Sequence, residues 1–194
     1  MDEIYNILKY FGSIQDKIAF RATVMLCQTG MRSSECIGIR LKDINMSEGW
    51  INIRHSKGRK RNIKKPISET LRSFLEADIR PEHENWYLDD GKGKLRWGAS
   101  NAMAHFFRKT WNHLDVHRRQ PVHGFRSFVA TFALKGGASI YDVKNLLGHS
   151  TTKQTEGYAN EGVLLPDTKA MINKTISKSI SIPEFTKSFV VVNG

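Results

Sequence analysis

Glycines that follow stretches of helical periodicity divide this chain into short helices, and no other feature of the sequence constrains its fold as strongly. Apolar residues recur at helical spacing from Ile14 to Gln28, and the pattern stops at Gly30, a residue type favoured just beyond helix ends. Further helices are predicted from about His123 to Leu134, and from Ser139 to the residue before Gly148. The sequence therefore predicts a mostly helical domain.

One segment departs from the helical pattern. Residues 50–54 alternate apolar and polar side chains as a strand does, and residues 61–65 are suited to pair with them across the basic turn 56–60. Pro66 closes this hairpin, and Ser68 is placed to cap a helix that runs to about Ile79. The predicted fold class is mainly α with a small antiparallel β-hairpin sheet, an α+β fold.

The charge of the chain points to a polyanionic partner. The 194 residues include 30 Lys and Arg against 19 Asp and Glu, which gives a net charge of +11. A surplus of this size favours binding to phosphate-rich molecules, with an affinity that falls as salt is added. On charge alone, a basic protein without such a partner stays open as the alternative.

Cysteine usage and hydropathy indicate the compartment. Cys27 and Cys36 are the only cysteines and have no metal-binding or redox spacing, so they are expected to be packing residues in a reducing environment. No apolar run approaches the roughly 18–20 residues of a membrane span, and the N-terminal residues lack the layout of a signal peptide. The expected location is the cytoplasm, at the nucleoid, or the nucleus if the host has one.

Two motifs place arginines where they can bind a phosphate. Cleavage of a phosphodiester without a metal needs cations for the non-bridging oxygens, and the planar fork of arginine binds such oxygens in pairs. Arg32 follows a helix-ending glycine, with Glu35 one turn later to orient its guanidinium group. His123 and Arg126 lie three residues apart at a predicted helix start, so their side chains share one face.

A third motif supplies a histidine and a nucleophile. His149 follows the helix-ending Gly148, and Tyr158 lies nine residues further on, in the next predicted helix. Any one of these residues, taken alone, is explained by an ordinary surface or packing role. Their order in one basic chain is what argues for a common site.

In that order the motifs resemble the catalytic domain of the tyrosine recombinase/integrase family, which includes Xer-type recombinases and phage integrases. The resemblance covers about residues 14–165 and is most specific in the spacing from His149 to Tyr158. It implies the fold of that catalytic domain. The second motif departs from the usual His-x-Leu-Arg-His, because Phe125 replaces the leucine and Ser127 the final histidine. Phe125 is still expected to pack inward.

The resemblance implies a role for each residue. Arg32 and Arg126 would clamp the scissile phosphate and stabilise its transition state. His149 would donate a hydrogen bond to the phosphate, and His123 would assist as acid or base. Tyr158 would attack phosphorus and form a 3′-phosphotyrosine.

The lysine of the hairpin would protonate the departing 5′ oxygen. Lys57, in the turn before Gly58, matches the family pattern best, and Lys60 is the alternative. The remaining basic residues of the hairpin are expected to grip the DNA backbone. This DNA-binding set is Arg54, Arg59, Lys60, Arg61, Lys64 and Lys65.

The domain organisation follows from the resemblance. Residues 1–178 are expected to form the catalytic domain, and residues 179–194 a tail that docks in cis or on a neighbouring subunit. Only some 13 residues precede the first predicted helix, so we expect no N-terminal core-binding domain in this chain. Either the chain is a fragment or it is a minimal single-domain recombinase.

The expected function is site-specific DNA recombination or integration, with double-stranded DNA as substrate, self-association into a dimer or tetramer on DNA, and accessory DNA-bending proteins as further partners. The alternatives are a non-catalytic DNA-binding regulator of the same fold and a type IB topoisomerase-like enzyme. No cofactor and no metal are expected. His113 and His117 lie four apart but have no third ligand in the sequence pattern.

Overall fold

The structure is a computed structural model, which describes residues 2–53, 63–78, 85–116 and 120–156. The helices, in chain order, are α1 (Asp2–Ser13), α2 (Lys17–Thr29), α3 (Ser33–Ile37), α4 (Glu69–Asp78), α5 (Ser100–His113), α6 (His123–Lys135), α7 (Ile140–Leu147) and α8 (Lys153–Glu156). The strands are β1 (Ile44–Asn45), β2 (Trp50–Ile53) and β3 (Ile63–Pro66). The predicted fold class, mainly α with a small antiparallel sheet, is confirmed.

The helices pack around α2, which is buried from Ala19 to its end and contacts α1, α3, α4 and α6. An aromatic cluster joins α1, α5 and α6, since Phe107 lies 5.9 Å from Phe11 and 5.4 Å from Phe125 between ring centroids. Phe125 is 1% exposed, so it packs inward as predicted. In the described part of the chain, no helix has the length and apolarity that a membrane span requires.

The three strands form one antiparallel sheet in the order β1-β2-β3. Ile51 and Ile53 of β2 are buried and pair with Lys65 and Ile63 of β3. Because side chains alternate between the two faces of a strand, Lys65 points to the buried face and Lys64 to the exposed one. β1 is an addition to the predicted two-stranded hairpin.

Two glycines end helices in the left-handed conformation. Gly30 follows α2 with φ +60°, and Gly148 follows α7 with φ +66°. A Cβ atom at Gly30 would lie 2.9 Å from Leu147 and 3.1 Å from Val129, and one at Gly148 would lie 2.6 Å from Ile63. Both turns therefore require glycine for backbone conformation and for close packing.

The predicted helix over residues 14–28 needs a correction at its start. The chain turns at Gln15, which has φ 54°, and α2 begins at Lys17 with the Asp16 side chain accepting the N–H of Ala19 at 3.0 Å. The residues before it form α1, whose apolar side chains face the core. The buried residues of α1 are Ile4, Ile7, Leu8 and Phe11.

Candidate active site

Arg32 is oriented by a buried carboxylate. The Glu35 side chain, which is 0% exposed, accepts hydrogen bonds from the backbone N–H and the Nη1 of Arg32, each at 2.8 Å. Burial alone would raise the pKa of Glu35, but the charge of Lys65 and the hydrogen bonds from Arg32 lower it below its ordinary value. Glu35 is therefore ionised at neutral pH and anchors a guanidinium group that is 34% exposed.

Arg126 joins two turns of the chain from the first part of α6. Its side chain is buried, with Nη1 donating to the carbonyl of Gly30 at 2.8 Å and Nη2 to the carbonyl of Leu147 at 2.6 Å. These carbonyls lie at the ends of α2 and α7, where no intrahelical donor is available. Arg126 thus holds together the turn that carries Arg32 and the turn that carries His149.

Arg32, His123 and Arg126 line one cavity of about 230 Å³. The cavity lies between the start of α3 and the start of α6, and it brings together two motifs that are about ninety residues apart in sequence. The other lining residues are Met31, Ser33, Ser34 and Val122. Because two guanidinium groups and an imidazole meet here, the cavity is suited to an oxyanion.

His149 stands beside this cluster of cations. Its Nδ1 lies 2.9 Å from the Oγ1 of Thr155, a buried hydroxyl in α8. Burial lowers the pKa of His149, the charges of Arg126 and Arg32 act in the same direction, and the resulting pKa is about 4. The imidazole is therefore neutral at pH 7, so one ring nitrogen carries a hydrogen to donate.

His123 is subject to the same influences at the start of α6. Partial burial lowers its pKa below the ordinary value, and the charges of Arg126 and Arg32 act in the same sense. A neutral imidazole at this position is able to accept a proton during a reaction. The site therefore combines fixed cations with two histidines that are held uncharged.

Lys65 is a correction to the predicted DNA-binding set. It has no exposed surface, and its ammonium group donates to the carbonyl of Leu146 at the end of α7. It cannot grip a DNA backbone from that position, because no surface is left to the solvent. Lys64, its neighbour on β3, is exposed and lies 3.8 Å from the carboxylate of Glu48.

The remaining predicted residues lie outside the described part of the chain and stay predictions. They include the proposed nucleophile and the hairpin cations. The residues are Arg54, Lys57, Arg59, Lys60, Arg61 and Tyr158. His117 also lies outside the described residues, while the ring of His113 packs on Tyr10 with 5.1 Å between centroids.

Sequence reasoning missed the buried role of Lys65 and the partner of His149. The signal for Lys65 was present, because it lies two residues after Ile63 in a strand and so on the same face. The contact between His149 and Thr155 spans a helix boundary and has no comparable signal. The hydrogen bonds of Arg126 to two carbonyls also leave no trace in the sequence.

The chain is similar to known proteins both in sequence and in fold. The model of the phage integrase family matches residues 1–163. The "TnP I resolvase" of Bacillus thuringiensis is 28% identical over 167 residues, which is 82% of this chain and 56% of the relative. The tyrosine recombinase XerD of Chlorobaculum tepidum is 28% identical over 151 residues, 70% of this chain and 46% of the relative. The chain thus spans about half the length of the curated relatives it matches.

Solved structures share the fold. The crystal structure of XerA recombinase superposes with a TM-score of 0.65 at 20% identity, over 92% of this chain and 61% of that protein. The Tn1549 transposon integrase, solved in complex with transposon right end DNA, gives a TM-score of 0.65 at 15% identity, over 89% of this chain and 62% of that one. These similarities are similarities of fold.

Proposed function

Because the chain belongs to the phage integrase family, we propose that it cleaves and rejoins DNA strands in site-specific recombination or integration, through a 3′-phosphotyrosine intermediate. One observation carries the proposal. Arg32, His123 and Arg126, from motifs far apart in sequence, line a single cavity, and His149 is held beside it. The positive charges of two guanidinium groups beside one anion offset the charge that develops on a transferring phosphoryl group.

The proposed reaction conserves the energy of the phosphodiester bond. The phenol of Tyr158 gives its proton to His123 as its oxygen bonds to phosphorus. The bond from phosphorus to the 5′ oxygen breaks, and Lys57 gives that oxygen its proton. In rejoining, a 5′ hydroxyl attacks the phosphotyrosine and the tyrosine oxygen leaves. No nucleotide cofactor takes part in these two steps.

The described residues would act on the phosphate itself. The guanidinium groups of Arg32 and Arg126 would bind its non-bridging oxygens and offset the charge that develops there. His149, neutral at pH 7, would donate a hydrogen bond to one of these oxygens. His123 would exchange a proton with the nucleophile or the leaving group.

The nucleophile is tested by trapping the covalent intermediate. The protein is incubated with a pool of nicked double-stranded oligonucleotides of randomised sequence, in which the short cleaved strand diffuses away. We expect a denaturant-stable protein–DNA adduct with the unsubstituted chain and none with Tyr158→Phe. Tyr141→Phe is the matched control, since Tyr141 is 64% exposed on α7 and has no proposed role. An adduct of unchanged yield in Tyr158→Phe would show that the nucleophile is another residue.

The adduct assay, together with measurements of DNA binding and of supercoil relaxation, separates the two alternatives. A non-catalytic DNA-binding regulator would give salt-sensitive DNA binding and no adduct on any substrate. A type IB topoisomerase-like enzyme would form the adduct and relax supercoiled DNA without preference for a site. Recombination predicts an adduct that depends on the sequence around the nick.

The proposed partner is double-stranded DNA, supported by the net charge of +11 and by a related fold solved in complex with DNA. We further propose that copies of the chain associate on DNA as a dimer or tetramer, with DNA-bending proteins as accessory factors, and that the protein works where its DNA lies, in the cytoplasm at the nucleoid. Neutralised phosphates release counterions, so the logarithm of the binding constant should fall linearly with that of the salt concentration.

A further inference from the structure

Lys65 is buried in a manner that packing alone does not explain. It lies on β3 opposite Ile51, has no exposed surface, and donates to the carbonyl of Leu146. Lysine is among the residues least often buried without a partner, because its charged form loses hydration. An apolar side chain would fill the same place in the sheet without that cost.

The hydrogen bond of Lys65 connects two distant parts of the chain at a specific point. It joins β3 to the end of α7 across 81 positions of sequence. Arg126 binds the next carbonyl, that of Leu147, at 2.6 Å. Two cations from two elements therefore hold the two successive carbonyls that precede Gly148 and His149.

We propose that Lys65 is a positioning residue for His149: by holding the last turn of α7 against β3, it sets where the imidazole stands relative to the guanidinium group of Arg126. The effect of this positioning on DNA cleavage rests on the proposed function. The positioning of His149 by Lys65 is independent of that function.

Three charged groups act on the ammonium group of Lys65. Burial lowers the pKa of Lys65, Glu35 of α3 opposes this shift, Arg126 of α6 and Arg32 before α3 add to it, and the resulting pKa is about 7. The charge of Lys65 in turn contributes to the lowered pKa of His149. An anion that enters the cavity favours the protonated form of Lys65, so anion binding near pH 8 takes up a proton.

The first test follows the titration of the His149 imidazole by NMR in protein with isotope-labelled histidine, with His149→Gln to assign its signal. We expect the pKa of His149 to shift upward in Lys65→Met, because one of the repelling charges is gone and the turn is no longer held. The matched control is Lys64→Met, which removes the same charge from the exposed face of the same strand. It should leave the titration of His149 in place. An unchanged titration in folded Lys65→Met would overturn the proposal.

The second test needs no substitution to be informative. Binding of inorganic sulfate, which does not titrate near neutrality, is measured by calorimetry at pH 8 in two buffers of different ionisation enthalpy. We expect a fractional proton uptake per sulfate bound by the unsubstituted chain, and a smaller uptake by Lys65→Met. If the unsubstituted chain binds sulfate without taking up protons, the coupling between Lys65 and the cavity does not exist.

The third readout separates this proposal from the proposed function. In the adduct assay, Lys65→Met should lower the rate at saturating DNA on the order of tenfold, the lower end of the loss seen when a residue that orients a metal-bound histidine is removed, with little change in DNA affinity. An unchanged rate and an unmoved His149 titration, with Tyr158 still forming its adduct, would remove the positioning role alone. A shifted His149 titration in a chain that never forms an adduct at Tyr158 would remove the proposed function and leave the positioning role.

Discussion

Two turns carry the described part of the site; Arg126 binds a carbonyl of each, and they differ in where their other side-chain partners lie in the sequence. The arginine turn, residues 29–32, is held mainly by its own neighbours in sequence: Glu35 binds Arg32 three residues away, and the N–H of Met31 donates to Thr29 Oγ1 at 3.3 Å. The histidine turn, residues 147–150, is held at the end of α7 by side chains from β3 and α6, 81 and 21 residues away. Both turns begin beside a left-handed glycine.

The contacts of the arginine turn follow from local spacing in the sequence, whereas those of the histidine turn depend on the tertiary fold. The spacing from Arg32 to Glu35 is one helical turn, so a local rule specifies the contact. The histidine turn depends on Lys65 and Arg126, which reach it only after the sheet and α6 are in place. The arginine turn is therefore expected to tolerate substitution of Lys65, which displaces the histidine turn, but not of Arg126, which binds both turns.

The largest effect is expected from Arg126, the residue that both turns share. Arg126→Ala should lower the free energy of unfolding by about 3 kcal/mol or more, because two buried carbonyls lose their donor at roughly 1–3 kcal/mol each. Arg126→Lys should recover only part of this loss, since one ammonium group cannot reproduce the fork. Denaturant unfolding with an unchanged m-value measures both.

Arg32→Ala is the contrasting variant, and should cost about 1–2 kcal/mol, because Glu35 keeps the backbone N–H as a donor. An equal loss in Arg126→Ala and Arg32→Ala would mean that the two turns are not supported differently.

The two glycines should give intermediate and unequal effects. Gly30→Ala and Gly148→Ala both place a side chain at positive φ, at about 1–2 kcal/mol. At Gly30 the new Cβ also meets the Val129 Cβ at 3.2 Å, an atom fixed to the backbone of α6. At Gly148 it meets the terminal methyl of Ile63, which is free to rotate away. We expect a loss of about 2–4 kcal/mol at Gly30 and about 1–3 kcal/mol at Gly148.

A second substitution checks the cause of the Gly148 effect. Ile63→Val removes the methyl group that a Cβ at this position would meet, so it should recover part of the stability of Gly148→Ala and none of that of Gly30→Ala. Gly124→Ala is the control, because nothing lies within 4 Å of its Cβ position and alanine favours the helix. A Gly148→Ala variant that loses more stability than Gly30→Ala would reverse the predicted order.

The pH dependence of stability reports on the histidine turn. The pKa of His149 is about 4 in the folded chain and that of Lys65 about 7, both below their ordinary values. The unfolded state then binds more protons than the folded state, so stability rises with pH, between about 4 and 6.5 for His149 and between about 7 and 10.5 for Lys65. His149→Asn should flatten the lower range and Lys65→Met the upper one, as measured by unfolding at a series of pH values. A slope in the upper range that Lys65→Met leaves unaltered would contradict this assignment.

The sequence predicted the helix ends well, because each is specified locally. Gly30 and Gly148 end α2 and α7 as expected, and Ser139 accepts the N–H of Asp142 at the start of α7. The helix α1 was missed, although Ile7 and Phe11 follow a helical repeat.

The sequence predicted which motifs form the site, but not which of its side chains are buried. Arg32, His123 and Arg126 come together as the motifs suggested. The alternation along β3 places Lys65 on the face of Ile63 and Lys64 on the other face. That the ammonium group of Lys65 would be fully buried could not be predicted, because its burial depends on how β3 meets α7.

The hydrogen bonds of Arg126 and Lys65 also bear on the order in which the chain folds. They close loops of 96, 81 and 21 residues, and loops of that length form slowly because their closure entropy precedes any gain from contacts. The cavity thus forms only when the whole domain has assembled. An anion that fills it binds the native state alone, and so should raise the melting temperature of the entire domain by an amount that grows with the logarithm of the anion concentration above its dissociation constant.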